Sequence, residues 1–295
     1  MATPTNKRNK RFYKDPDKAA VSLLILIALI MVALLIINIV RGKDLNTSGY
    51  PSLKFLISGE IVKDIDLRDL EKNIEVHKIK FYDPQYKKDK KYEGFALHDM
   101  LQFGFGDNWN SSDYTDVAFE ALDGYTSVST IAKVSEPGGY IVFKDLEYED
   151  WEPVSIKQVN PGPFYLVWTG KGQTTTNEYP WPWQLSSIDL IKFEEQYSAV
   201  SPSGVSENSD VYKGYKIFKG RCIRCHAMNG EGGKVGPDLN APQSIVTYRN
   251  TYMIKEFIKN PSKYRYTQMP DHPDLSDQDL DNLISYFNYM NEIRN

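Results

Sequence analysis

Asp210-Val-Tyr-Lys-Gly-Tyr-Lys-Ile-Phe-Lys-Gly-Arg-Cys-Ile-Arg-Cys-His226 is the stretch whose reading decides the organisation of this chain of 295 residues. Its last five residues, Cys222-Ile223-Arg224-Cys225-His226, make the pattern C-x-x-C-H, an attachment signature for haem. Two thiols at this spacing add across the vinyl groups on one edge of a porphyrin, and the adjacent histidine is held under the iron as a proximal ligand. A bare C-x-x-C serves redox disulfides and zinc half-sites as well. Here His226 follows directly, and Cys222 and Cys225 are the chain's two cysteines, so no second pair completes a zinc site. No thiol is left for a disulfide or a nucleophile elsewhere.

The residues on either side read as helices. Asp210 to Arg221 opens at a Ser209 or Asp210 cap, Thr251 to Lys259 forms a second helix, and Ser276 to Ile293 a third. In the third, Ser276 is the N-cap and Asp279 holds the capping-box position, with Leu280, Leu283, Ile284 and Phe287 on its buried face. Over residues 210–295 the chain resembles a small class I cytochrome c domain along its whole length. Gly214 and Phe218 stand where that family's first helix meets its last, Tyr286-Phe287 stands at the crossing, and Gly236-Pro237-Asp238-Leu239 follows at the family's distance. The resemblance implies an all-α domain holding one covalently bound haem c, with Cys222 and Cys225 as thioether anchors, His226 as proximal ligand and Pro237 packed beside it.

Met269, on a loop ended by Pro270, is the candidate distal ligand, which makes His226 and Met269 the metal-binding pair; His272 is its rival. A Met/His pair fills both axial positions and suits electron transfer rather than oxygen or substrate chemistry. Met228, Met253 and Met290 read as core filler. Among the other histidines, His77 and His98 read as structural or exposed.

Between residues 52 and 197 the pattern is mostly strand. Leu53 to Val62 turns at Gly59, Glu75 to Tyr82 alternates, and Val117 to Ala132 is two runs around the turn dipeptide Asp123-Gly124. Gly139 to Phe143, Phe164 to Thr169 and Ile188 to Phe193 are further short β-type runs, and Ala96 to Phe103 reads as one helix. Tyr92 to Leu101 and Ala121 to Thr126 resemble segments of the molybdopterin-binding domain of the sulfite-oxidase family. That family's molybdenum is bound by a cysteine thiolate, which residues 52–197 lack, so a β-rich (α+β) module without a molybdenum cofactor is expected. The aromatic and proline clusters Pro161 to Tyr165 and Tyr179 to Leu185 read as rigid loops closing the β core; Asp145 to Glu152 reads as a solvated acidic face. Ser198 to Ser209, polar and serine-rich, reads as a flexible linker that lets the haem domain swing.

At the N-terminus, Lys7, Arg8, Lys10, Arg11, Lys14 and Lys18 precede an apolar run from Ala19 to Val40. About 20 helical residues cross a hydrocarbon core of about 30 Å, and the run lacks a signal-peptide cleavage site. A cytoplasmic basic tail (1–18), a transmembrane anchor in the lipid bilayer (19–40) and a juxtamembrane linker (41–51) are therefore expected, with later residues outside the cytoplasm. The net charge of −4 and the absence of a basic stripe beyond the tail exclude a nucleic-acid binder. The whole reads as a multidomain, single-pass protein of a bacterial inner membrane, with a β-rich extracytoplasmic domain and an all-α cytochrome c domain. Its expected work is one-electron transfer between redox protein partners, in a respiratory chain or complex. The alternatives are an electron-transfer subunit of an oxidoreductase and a scaffold subunit.

Overall fold

Alternation along Ser52–Ile57 (β1) puts Leu53 and Phe55 inward, and the Ser58-Gly59 turn, with φ of 50° and 85°, returns the chain into Glu60–Asp66 (β2). Positive φ at both turn positions matches the twist of a two-residue hairpin. The structure, a computed structural model, describes residues 49–154, 158–174, 178–265, 267 and 269–294. Helix Leu67–Asn73 (α1), capped by Asp66, leads to strands Val76–Asp83 (β3) and Lys88–Ala96 (β4) and then to helix Leu97–Phe105 (α2). Strands Asp116–Ala121 (β5) and Thr126–Thr130 (β6), the short helix Ile131–Val134 (α3), and strands Gly139–Asp145 (β7), Tyr165–Trp168 (β8) and Leu185–Ile191 (β9) complete this half.

The strands form two sheets. One has the order β2-β1-β9-β5-β6, antiparallel except for the parallel pair β1 and β9; the other has the antiparallel order β3-β4-β7-β8. Phe55, Phe119, Leu185 and Ile188 from the first sheet and Tyr92, Phe95, Ile141 and Leu166 from the second share one core. Trp168 and Trp181 belong to it too, and Trp168 Nε1 donates to the Pro180 carbonyl at 2.8 Å, so the proline-aromatic loops close the β core as expected.

The acidic stretch 145–152 is not a free solvated face. Lys90, whose side chain is fully buried, donates to Asp145 at 2.7 Å and to Glu152 at 2.8 Å. A buried ammonium requires such partners, and period 2 along β4 aims Lys90 inward.

The remaining elements are Phe193–Gln196 (α4), Asp210–Ile217 (α5), the ribbon of Ala227–Met228 (β10) and Glu231–Gly232 (β11), Ile245–Tyr248 (α6), Thr251–Lys259 (α7), Pro261–Tyr264 (α8) and Asp277–Arg294 (α9). Ser209 caps α5 through the Tyr212 amide at 3.2 Å, and Ser276 and Asp279 bond reciprocally at the start of α9. Helices α5 and α9 cross at Gly214, where a Cβ would stand 2.0 Å from the Asn282 carbonyl oxygen; Phe218 meets Tyr286 there, ring centroids 5.5 Å apart.

Two expectations are corrected. The basic tail and the membrane-spanning helix over 19–40 fall outside the described residues, and among the described residues no helix is long and apolar enough to cross a membrane. The longest of them, α9, interleaves Asp, Asn and Glu with its apolar residues, as a helix packed on one face does. The described fold is therefore a β-rich half and a helical half, without a membrane span. Residues 198–209 differ from a free tether. Val200 is fully buried, Tyr286 Oη donates to its carbonyl at 2.7 Å, Tyr289 Oη reaches Ser203 O at 2.5 Å, and Ala199 N reaches Glu231 at 2.8 Å. The described residues from Tyr50 onward form one compact unit, in which Ala118, Ile191 and Phe193 of the β-rich half pack into the same core as Tyr215, Phe218 and Tyr286.

Candidate functional site

A single π-type turn, Phe218–Cys222, joins α5 to the cysteine motif, and the Ile223 amide donates to the Phe218 carbonyl at 3.0 Å. Such widened turns recur at functional sites because they rotate the downstream side chains. The Cys225 and His226 amides both return to the Cys222 carbonyl, at 3.1 and 2.9 Å, so the motif is itself a helical turn carrying both sulfurs. Desolvation pushes the Cys222 thiol up to about 12 and the Cys225 thiol up to about 11, although both residues keep some surface.

His226 is oriented from the loop opposite. Its Nδ1 donates to the Pro237 carbonyl oxygen at 2.7 Å, and because a carbonyl only accepts, the proton sits on Nδ1 and Nε2 keeps its lone pair. The loop comes this close because residue 236 is glycine: a Cβ there would lie 2.5 Å from His226 Cε1. The Gly236 amide donates to the Cys225 carbonyl at 2.7 Å, and Asp238 fastens the loop by accepting from the amides of Gly230, Asn240 and Ala241 at 2.6, 2.7 and 2.8 Å. Burial lowers the His226 pKa, which keeps the ring neutral and able to ligate.

Met269 is half-buried against the helical core, its amide bonded to Thr267 Oγ1 at 3.1 Å. The loop that carries it is stapled where Ser262 donates to Asp271 through its amide at 3.1 Å and its hydroxyl at 2.8 Å. His272 is tied by its amide to the Lys259 carbonyl at 3.1 Å. Met228 and Met290 are buried core residues, whereas Met253 is exposed on α7, so it is not filler. His98 is exposed beside Asp99, and the His77 ring packs against Tyr140.

The sequence reading missed the support behind the motif. The hairpin between β5 and β6 docks on it: the Thr126 amide donates to the Arg224 carbonyl at 3.0 Å, and the Lys234 amide to the Gly124 carbonyl at 3.0 Å. Asp123-Gly124 was legible as a turn; nothing local says what a turn will touch.

The residues present fit a covalently bound haem: two sulfurs on one turn and an imidazole fixed by its far nitrogen. Comparison with known proteins agrees. The sequence model of the family described as Cytochrome c matches residues 211–291. Cytochrome c of Cochliobolus lunatus is 34% identical over 76 residues, covering 20% of this chain and 70% of that protein. Cytochrome c of Stellaria longipes is 30% identical over 101 residues, 27% of this chain and 92% of the relative. Cytochrome c oxidase subunit 2 of Alkalihalophilus pseudofirmus is 31% identical over 81 residues, 25% of this chain and 24% of that protein. One haem c, held covalently, is the cofactor of this site.

Proposed function

We propose that this chain, which belongs to the cytochrome c family, passes single electrons between redox proteins outside the cytoplasm, as part of a respiratory chain. The observation that carries the reading is the presentation of His226: Nδ1 spent on Pro237 at 2.7 Å, Nε2 left for iron, two thiols one turn behind. Cys222 and Cys225 are the thioether anchors, His226 the proximal ligand and Met269 the distal one. Bound haem supplies a one-electron couple whose potential a Met/His pair raises. The protein's part is positional: the Pro237 carbonyl fixes the imidazole and makes it a better donor. Phe218, Tyr286 and Phe287 exclude water from the core behind it.

Covalent haem attachment is an extracytoplasmic process, which supports that location. The respiratory setting rests on the likeness to a subunit of cytochrome c oxidase. Fixed packing of the β-rich half on the haem half favours a second reading, a subunit of a larger respiratory complex. The β-rich half has no cysteine of its own, and we assign it no molybdenum.

Replacing the two rival distal ligands tests the assignment. M269A should give a high-spin absorption spectrum at neutral pH, while H272A should keep the parent's low-spin spectrum; the reverse result gives the distal position to His272.

A further inference from the structure

Arg224 occupies the second variable position of the motif and is only 8% exposed. A guanidinium this buried ordinarily sits against a carboxylate. Among the described residues none stands at ion-pair distance from it, whereas Arg221, the other cation near Cys222, is neutralised by Asp274 at 2.6 Å. Facing Arg224 instead is the phenol of Tyr125, carried on the β5–β6 hairpin. Main-chain bonds at 3.0 Å from Thr126 N to Arg224 O and from Lys234 N to Gly124 O hold that hairpin down. On the other side Gly233 lies so close that a Cβ would stand 2.0 Å from the Arg224 carbonyl oxygen. The guanidinium is thus buried beside the hairpin of the β-rich half, on the residue that directly precedes Cys225 and His226.

We propose that Arg224 sets the reduction potential of the haem, its buried positive charge being positioned by the Asp123–Thr126 hairpin of the β-rich half. The step is one electron added to iron, with no bond made or broken. The site then carries one positive charge fewer, so a fixed cation beside it favours the reduced form. Low local dielectric strengthens the effect and burial shields it from salt. Asp123, exposed on the same hairpin, carries the opposite charge and acts in the opposite sense. The β-rich half would then be part of the redox tuning of the haem half rather than a separate cargo.

The inference rests on the haem assignment, whose failure would be visible separately as missing haem bands in the parent protein. The test is a spectroelectrochemical titration of the full haem-loaded chain. R224Q should shift the reduction equilibrium about tenfold toward the oxidised form, about 59 mV for a one-electron couple, and the shift should persist at high salt. R224K should restore most of it. D123N, whose amide oxygen can keep the turn bond to the Tyr125 amide (2.9 Å in the parent), should move the midpoint upward at low salt. An R224Q protein with the parent's spectrum and an unchanged midpoint overturns the proposal. If R224Q takes up no haem, R224M decides: a midpoint below the parent's supports the proposal and an unchanged midpoint overturns it.

Discussion

Gly236 and His226 touch in a way that no side chain larger than hydrogen allows, since a Cβ at 236 would stand 2.5 Å from the imidazole. G236A should therefore push the loop off the ring. The Pro237 bond should lengthen, and the protein should lose about 1–3 kcal/mol by overpacking, read as a lower midpoint in denaturant. An unchanged midpoint with an unchanged spectrum would contradict the account of His226 orientation. At this scale the sequence is uneven. Cys222, Cys225 and His226 are legible because covalent chemistry demands that they be neighbours in the chain. The acceptor on Pro237 is a backbone carbonyl, which no residue type announces. Arg224 could be read as a residue but not as buried, because the hairpin that buries it lies about a hundred positions upstream.

Among elements, strand β4 shows how charge misleads. Its first half, Lys88-Asp89-Lys90-Lys91, looks solvated, and the acidic segment after β7 looks like its solvated counterpart; they are partners. K90M should cost about 3–5 kcal/mol, since it leaves the buried Asp145 carboxylate without its cation. The same cluster carries a pH dependence. Desolvation raises the Glu152 pKa, but hydrogen bonds from Lys88 and Lys90 more than offset it and hold the carboxyl below its usual range. A carboxylate with a lowered folded pKa contributes stability above its unfolded pKa, and that contribution is lost as pH falls through the folded value. Denaturation midpoints of the parent should fall in acid, and K90M should flatten that limb. Where the sequence read an element well, as at α7 and the Ser276–Asp279 cap of α9, the signal was local: a cap residue and helical periodicity.

For the whole molecule the consequence is coupling. A serine-rich stretch has the composition of a free linker, yet packing of Val200 and the bonds from Tyr286 and Tyr289 anchor its first half to the core. Phe193 of α4 lies in the helical core, with Lys219 Nζ 3.6 Å from its ring centroid, and neighbouring Glu194 accepts from Tyr215 Oη at 2.8 Å. F193A should cost about 3–5 kcal/mol. It should lower the unfolding midpoint seen by haem absorbance and by β-sheet circular dichroism together. Two separated transitions, with only the β-rich one shifted, would mean that the halves are independent after all.

Intact mass of the purified denatured protein, beside that of C222A/C225A, tests the central claim most directly. The account predicts the polypeptide plus one haem for the parent and the bare polypeptide for the double variant. A parent without the added mass, or a double variant that retains it, would contradict the assignment of haem to Cys222 and Cys225.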